Sequence, residues 1–570
     1  MNRLFDEHKK RAVSCLDGAW RFSTDPDGVG IRDEWFRAIP EWQTVVVPSV
    51  WNTQLGLLEY EGAAFYQRDF YTEGGTLRFV FEGVLTEGDV WLDGKHIVNH
   101  YGGFCQFDAI VEGVSEGVHT LTVRADNSFD SDSIPQSYVD WYHYGGITRS
   151  VWVERLSGIS VLSSRLVYSL EGNTADCRVE YDIYNASDAE LADNLVTRVF
   201  NREITTPVTL RARESIAVTS EDFTLKRVWL WSPEQPKLYT LETVTSTDDL
   251  TDKVGFRTVK ATPEGIFVNG IPYEIRGVNR HEEHPDFGFA FPGELMRRDI
   301  DIAFDMGCNS LRGAHYPNSR RFVDMLDERG MLFWSEIPIW GEGFSKETLG
   351  NEKVRARGLE MHAEMMKHYY NHPSIIIWGL HNEIKTDTEE AREMTERYFK
   401  AVREKGGNRL ITYATNHPLT DICYAYCDVI SVNMYIGWYG KKLHEWAEFL
   451  REMESYIDST GNGDKPIIMS EFGAAAVFGH RSFDDNIWTE DYQAKLIEHT
   501  LTLFHNDKRI CGSYIWHFAD IKTMLAINRA RSYNNKGLLN EYRQPKAAYF
   551  TARALYRAFA AEEAERKRLD

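Results

Sequence analysis

The stretch SIIIWGLHNEI, residues 374–384, decides how the second half of this chain is read. Three isoleucines and a tryptophan form a short, wholly apolar run, the pattern of a strand buried on both faces. Gly379 is expected to break that strand, and His381, Asn382 and Glu383 follow at once. A core strand that ends on a carboxylate either meets solvent there or serves to aim the acid.

Seven further apolar runs lie after about residue 259: YEIRGVN, CNSLRGAH, MLFWSEI, LITYAT, VISVNMY, KPIIMSEFG and CGSYIWHFA. Amphipathic helical patterns such as GELMRRDIDIAFDMG and RRFVDMLDERG separate several of them. Eight strands in roughly 310 residues is the arithmetic of a (β/α)8 TIM barrel. Upstream the chain reads as all-β. Residues 1–155 alternate short strands with DG and EG turns, the spacing of a jelly-roll sandwich. Residues 156–258 continue in strands and fit an immunoglobulin-like β-sandwich. The expected division is thus 1–155, 156–258 and 259–570 within 570 residues, too many for one core.

A net charge of −22 without a basic stripe disfavours nucleic-acid binding, which needs clustered Lys and Arg. The start, MNRLFDEHKKRAVSCL, lacks a secretory pattern, and no run is long and apolar enough for a membrane span. Seven scattered cysteines argue against a disulfide framework, and CYAYC has no second ligand pair to make a zinc site. The expectation is a cytoplasmic protein without metal or cofactor.

In such a barrel the active site forms at the C-terminal strand ends. Polar residues gather there: Asn279, Arg280 and His281 after the first strand, Arg312 and His315 after the second, Asn382 and Glu383 after the fourth. Asn433 and Tyr435 follow the sixth, Glu471 the seventh, and Trp516 and His517 the eighth. Two carboxylates facing each other across a barrel mouth are what glycoside hydrolysis requires, one protonated as acid and one ionised.

The motifs NHPSIIIWGLHNE, PIIMSEFGA, RGVNRHEEHPDFG and LRGAHYPNS resemble those of glycoside hydrolase family 2, as do LDGAWRF, YGGITRSVWVE and the domain order. The resemblance spans essentially the whole chain. It implies Glu383 as acid/base and Glu471 as nucleophile of a retaining enzyme, Asn382 on the sugar 2-hydroxyl, and Tyr435 beside the nucleophile. WHFADI and the Asn-x-Lys of Asn534 and Lys536 look like the β-glucuronidase branch, in which the ammonium meets the sugar carboxylate. That branch also implies Asp140, from a first-domain loop, Tyr439, His315 and Trp516 in the sugar site. Arg531, or Arg529 in its place, would assist the carboxylate. A β-galacturonidase or β-galactosidase of the same family is the alternative. The loop IPIWGEGFSKETLGNEKVRARG is short, so the aglycone side should be open unless a neighbouring subunit covers it; by analogy the enzyme is expected to be a homo-oligomer.

Overall fold

A computed structural model describes residues 3–341, 343–524 and 529–569. Its first unit is a sandwich of two antiparallel sheets. One has four strands, Ala12–Cys15, Gly75–Phe81, Phe107–Val114 and Val151–Leu156. The other has six, among them Ala63–Thr72 and Gly117–Asp126. The two-residue alternation of the sequence decides which side faces in: along Gly117–Asp126, Leu121, Val123 and Ala125 are fully buried between the sheets. The second unit, from Ile159 to Val254, pairs two four-stranded sheets in the same way.

The third unit is a closed barrel of eight parallel strands. We label them β1 Ile275–Arg280, β2 Ser310–Gly313, β3 Leu332–Glu336, β4 Ile375–Asn382, β5 Leu410–Thr415, β6 Ile430–Asn433, β7 Ile467–Phe472 and β8 Ile510–Ile515. All eight coincide with the apolar runs read from the sequence. β4 is buried at every position. Ile376 and Ile377 join the cluster inside the barrel, whereas Ile375, Trp378 and Leu380 pack outward against the helices. That double burial is why the strand carries no polar alternation. A three-stranded ribbon, Val259–Tyr273, precedes β1 and seals the barrel's lower end with Val259, Ile266 and Val268. Helices follow most strands, but β5 and β6 are joined through only a 3-10 turn, Tyr424–Tyr426, among the described residues.

Gly379 does not break β4. The strand continues to Asn382, and a Cβ at Gly379 would lie 2.4 Å from Trp334 Nε1 and 2.7 Å from Glu336 Cβ. The glycine lets β3 and β4 approach closely. The chain turns at Glu383 itself, which adopts φ 52°, a left-handed conformation uncommon outside glycine. Among the described residues no helix is long and apolar enough to cross a membrane.

Candidate active site

The strand tips are organised by one guanidinium. Arg312, at 0% exposure near the end of β2, extends its rigid fork of donors across the barrel mouth. Its Nη1 donates to Glu471 Oε1 at 2.9 Å and to Asn279 Oδ1 at 3.1 Å. Nε and Nη2 donate to the two oxygens of Glu336 at 3.0 and 2.9 Å, and Nη2 also reaches Asn382 Oδ1 at 2.7 Å. Glu471, on β7, receives a second donor, the Tyr435 hydroxyl, at 2.6 Å from Oε2. Burial raises the Glu471 carboxyl above its ordinary value, while Arg312 and Tyr435 pull it back.

Glu383 has a different environment. Asn433 Nδ2 donates to its Oε1 at 3.0 Å, and among the described residues no cation pairs with it. Burial, reinforced by the charge of Glu471, pushes its carboxyl up to about 8. One carboxyl is thus held by a guanidinium and a phenol, the other by a neutral amide, so a paired cation opposes the effect of burial at Glu471 alone.

Both glutamates line a cavity of about 450 Å³, with Asp140, Asn433, Tyr435, Tyr439, Trp516 and Lys536 in its walls. Asp140 arrives from the first domain and is clamped by the barrel: Arg529 Nη2 donates to its Oδ2 at 2.5 Å and Asn534 Nδ2 to the same oxygen at 2.8 Å. Lys536 is almost wholly buried at 1% exposure. Its Nζ donates to the Tyr439 hydroxyl at 2.7 Å and lies over the rings of Tyr439, Tyr435 and Trp438 at 4.7, 5.2 and 5.9 Å. Among the described residues no carboxylate pairs with this ammonium, and burial lowers its pKa. Three expected site residues sit behind the wall. His315 stacks on Trp516 with centroids 5.1 Å apart, and its Nδ1 lies 2.8 Å from Glu336 Oε1. Asn382 has its oxygen pinned by Arg312 and Asn433, and its buried Nδ2 has no partner among the described residues. Asn534 acts through Asp140.

The family 2 TIM barrel model matches residues 259–561, its sugar binding domain residues 13–156, and a third family 2 model residues 161–257. The chain belongs to glycoside hydrolase family 2. It is a glycosidase, and the resemblance read from the motifs is borne out. A β-glucuronidase of Paenibacillus borealis is 26% identical over 583 residues, 94% of this chain and 96% of that one. A β-galacturonidase from Eisenbergiella tayi, solved bound to galacturonate, is 32% identical with a TM-score of 0.90, covering 98% of this chain and 99% of that one. The β-glucuronidase of Ruminococcus gnavus is 26% identical with a TM-score of 0.86, covering 98% and 99%.

The geometry of this family 2 site departs from the sequence reading in three places. Arg531 does not face the cavity. Its Nη1 donates to Glu541 at 2.7 Å and its Nη2 to Asn535 at 3.0 Å, so the position beside the ammonium falls to Arg529. Asn279, Arg280 and His281 do not line the cavity either: Arg280 pairs with Asp299 at 2.9 Å, and Asn279 ties β1 to β7 and β8. Glu336, at the tip of β3, went unremarked, although a carboxylate closing an apolar run was the signal that singled out the other two. Trp340, in the short loop after β3, lines the wall; Glu342 of that loop lies outside the described residues.

A pH dependence follows. A carboxyl raised to about 8 keeps its proton through neutrality and loses it as pH rises further. On a glycoside with a poor leaving group, kcat/KM should hold to about pH 8 and then fall by about tenfold per unit. On an activated aryl glycoside, which needs no proton, that falling limb should weaken. A limb centred near pH 4–5 would mean that Glu383 is not the acid.

Proposed function

We propose that the protein is a retaining, exo-acting β-glucuronidase that releases glucuronate from β-D-glucuronides. The observation that carries this reading is Lys536, a buried ammonium in the cavity wall with no carboxylate paired to it among the described residues, and with Arg529 beside it. Asp140 already matches Arg529, and the ammonium left over is costly to hold buried unless a second anion completes the set. The C6 carboxylate of a uronide is that anion.

The chemistry then divides between the glutamates. Glu471 attacks the anomeric carbon while Glu383 gives its proton to the departing glycosidic oxygen, and a covalent glycosyl-enzyme forms. Glu383, now ionised, takes a proton from water, which attacks the same carbon and frees Glu471. Two displacements give net retention. Arg312 offsets the cost of burying the Glu471 carboxylate, and the family resemblance assigns the 2-hydroxyl to Asn382, whose Nδ2 has no partner among the described residues.

The 32% identity to a β-galacturonidase supports a second reading, the C4 epimer, because the same cations serve either acid. A panel of aryl β-glycosides separates the readings by kcat/KM, with the first-formed product anomer read by proton NMR. The glucuronide should lead and the first product should be the β anomer. A galacturonide ahead by tenfold would move the assignment to the epimer. A neutral galactoside in front, or a first-formed α anomer, would remove it.

A further inference from the structure

Behind the buried ammonium of Lys536 stands a second one. Lys546 is fully buried and does not line the catalytic cavity. Its Nζ donates to Asp520 Oδ1 at 2.7 Å, to Ala476 O at 2.8 Å and to Asn535 O at 3.0 Å. Each acceptor follows or precedes a site residue along the chain. Ala476 lies just beyond Glu471, Asp520 just beyond Trp516, and Asn535 immediately before Lys536.

The segment 534–537 is held from other sides too. Asp520 Oδ1 also accepts from Gly537 N at 2.9 Å. Gln493 is fully buried on the helix Glu490–Asn506, and its Nε2 lies 2.9 Å from Ala474 O, 3.0 Å from Gly537 O and 3.2 Å from Lys536 O. The backbone adds Ala476 N to Asn535 O at 2.9 Å and His517 N to Lys536 O at 3.2 Å. A Cβ on Gly537 would lie 2.3 Å from Asp520 N, so the segment rests directly on the chain beyond β8. A fully buried ion pair adds little net stability over apolar side chains of similar volume, and its best-attested use is to fix register. A flexible lysine stem finds one place only if the backbone beneath it is fixed.

We propose that Lys546, with Asp520 and Gln493, is a positioning residue for uronide selection. It locks segment 534–537 to the chain beyond β7 and β8, so that the Lys536 ammonium stands at a set distance from the Glu471 carboxylate. Gripping the sugar acid then aligns the anomeric carbon with its nucleophile. A neutral sugar makes no use of this frame. The assignment rests on the reading of Lys536 as the partner of the sugar carboxylate.

The test combines Lys546→Met with Asp520→Asn, so that no lone buried charge is left, and makes Gln493→Met separately. On an aryl glucuronide kcat/KM should fall by about tenfold or more in the first and about threefold or more in the second. On a neutral aryl glucoside both should stay within about twofold of the parent. The same changes are then made in a Lys536→Ala background. There neither should lower the glucuronide-to-glucoside ratio further, because both act through that ammonium. Residues that only held the barrel together would depress both substrates alike in either background. Equal losses on the two substrates, or a further fall of the ratio without Lys536, would overturn the proposal. If the combined variant does not fold, Gln493→Met decides alone. An unchanged ratio in Lys536→Ala itself would remove the uronide reading and the frame's purpose with it. A ratio that falls in Lys536→Ala but not in the frame variants would remove only the role given to Lys546.

Discussion

Glu471→Ala should reduce turnover by on the order of 10⁴-fold or more, because no covalent intermediate can form without the attacking carboxylate. The loss should not come from collapse of the site. Arg312 keeps its two-oxygen contact with Glu336 when Glu471 is gone, so the guanidinium remains paired and the barrel mouth keeps its shape. Glu383→Ala should behave differently on aryl glycosides with good leaving groups. Protonation of the departing oxygen matters little there, and the first step should survive while the second, which needs the base, slows. Comparing kcat/KM of both variants on one activated aryl glycoside checks the division of labour. Equal losses would mean that the two roles are wrongly assigned. A near-normal melting transition for Glu471→Ala is the accompanying control.

Lys536→Ala should lower kcat/KM on a glucuronide by roughly ten- to 150-fold, the value of one charge-assisted hydrogen bond of about 1.5–3 kcal/mol. A neutral glucoside should be unharmed, and its rate should rise slightly because no unpaired ammonium remains in the wall. The informative quantity is the ratio of the two substrates in variant and parent. The Tyr439 hydroxyl loses its 2.7 Å partner in this variant, so a general loosening of the pocket would depress both substrates together. An unchanged ratio would mean that Lys536 does not read the acid, and the uronide assignment would lose its main support.

The barrel was legible because buried parallel strands announce themselves as apolar runs whatever surrounds them, and all eight do so here. The two glutamates were legible because each closes such a run. What the chain order hides is the set of contacts between runs. Arg312 was visible as a polar tip, but its link to Glu336, Asn382 and Glu471 joins residues 24, 70 and 159 positions away. Arg529 and Arg531 lie two places apart in a polar loop, and only the backbone decides between them. Arg531 sits at φ 62°, which sends its side chain to Glu541 and not into the cavity. Gly379 misled for a related reason: a glycine in an apolar run reads as an interruption, whereas here Trp334 and Glu336 of the neighbouring strand leave room for no side chain.

The clamp on Asp140 makes catalysis a property of the assembled chain. The acid comes from the first sandwich and the residues that hold it, Arg529 and Asn534, from beyond the last barrel strand, 389 and 394 positions later. A barrel that has closed alone already owns both glutamates and Arg312, yet one wall of its pocket is missing. Synthesis therefore delivers the two halves of that wall at opposite ends of translation, and the nascent enzyme stays silent until its tail has emerged.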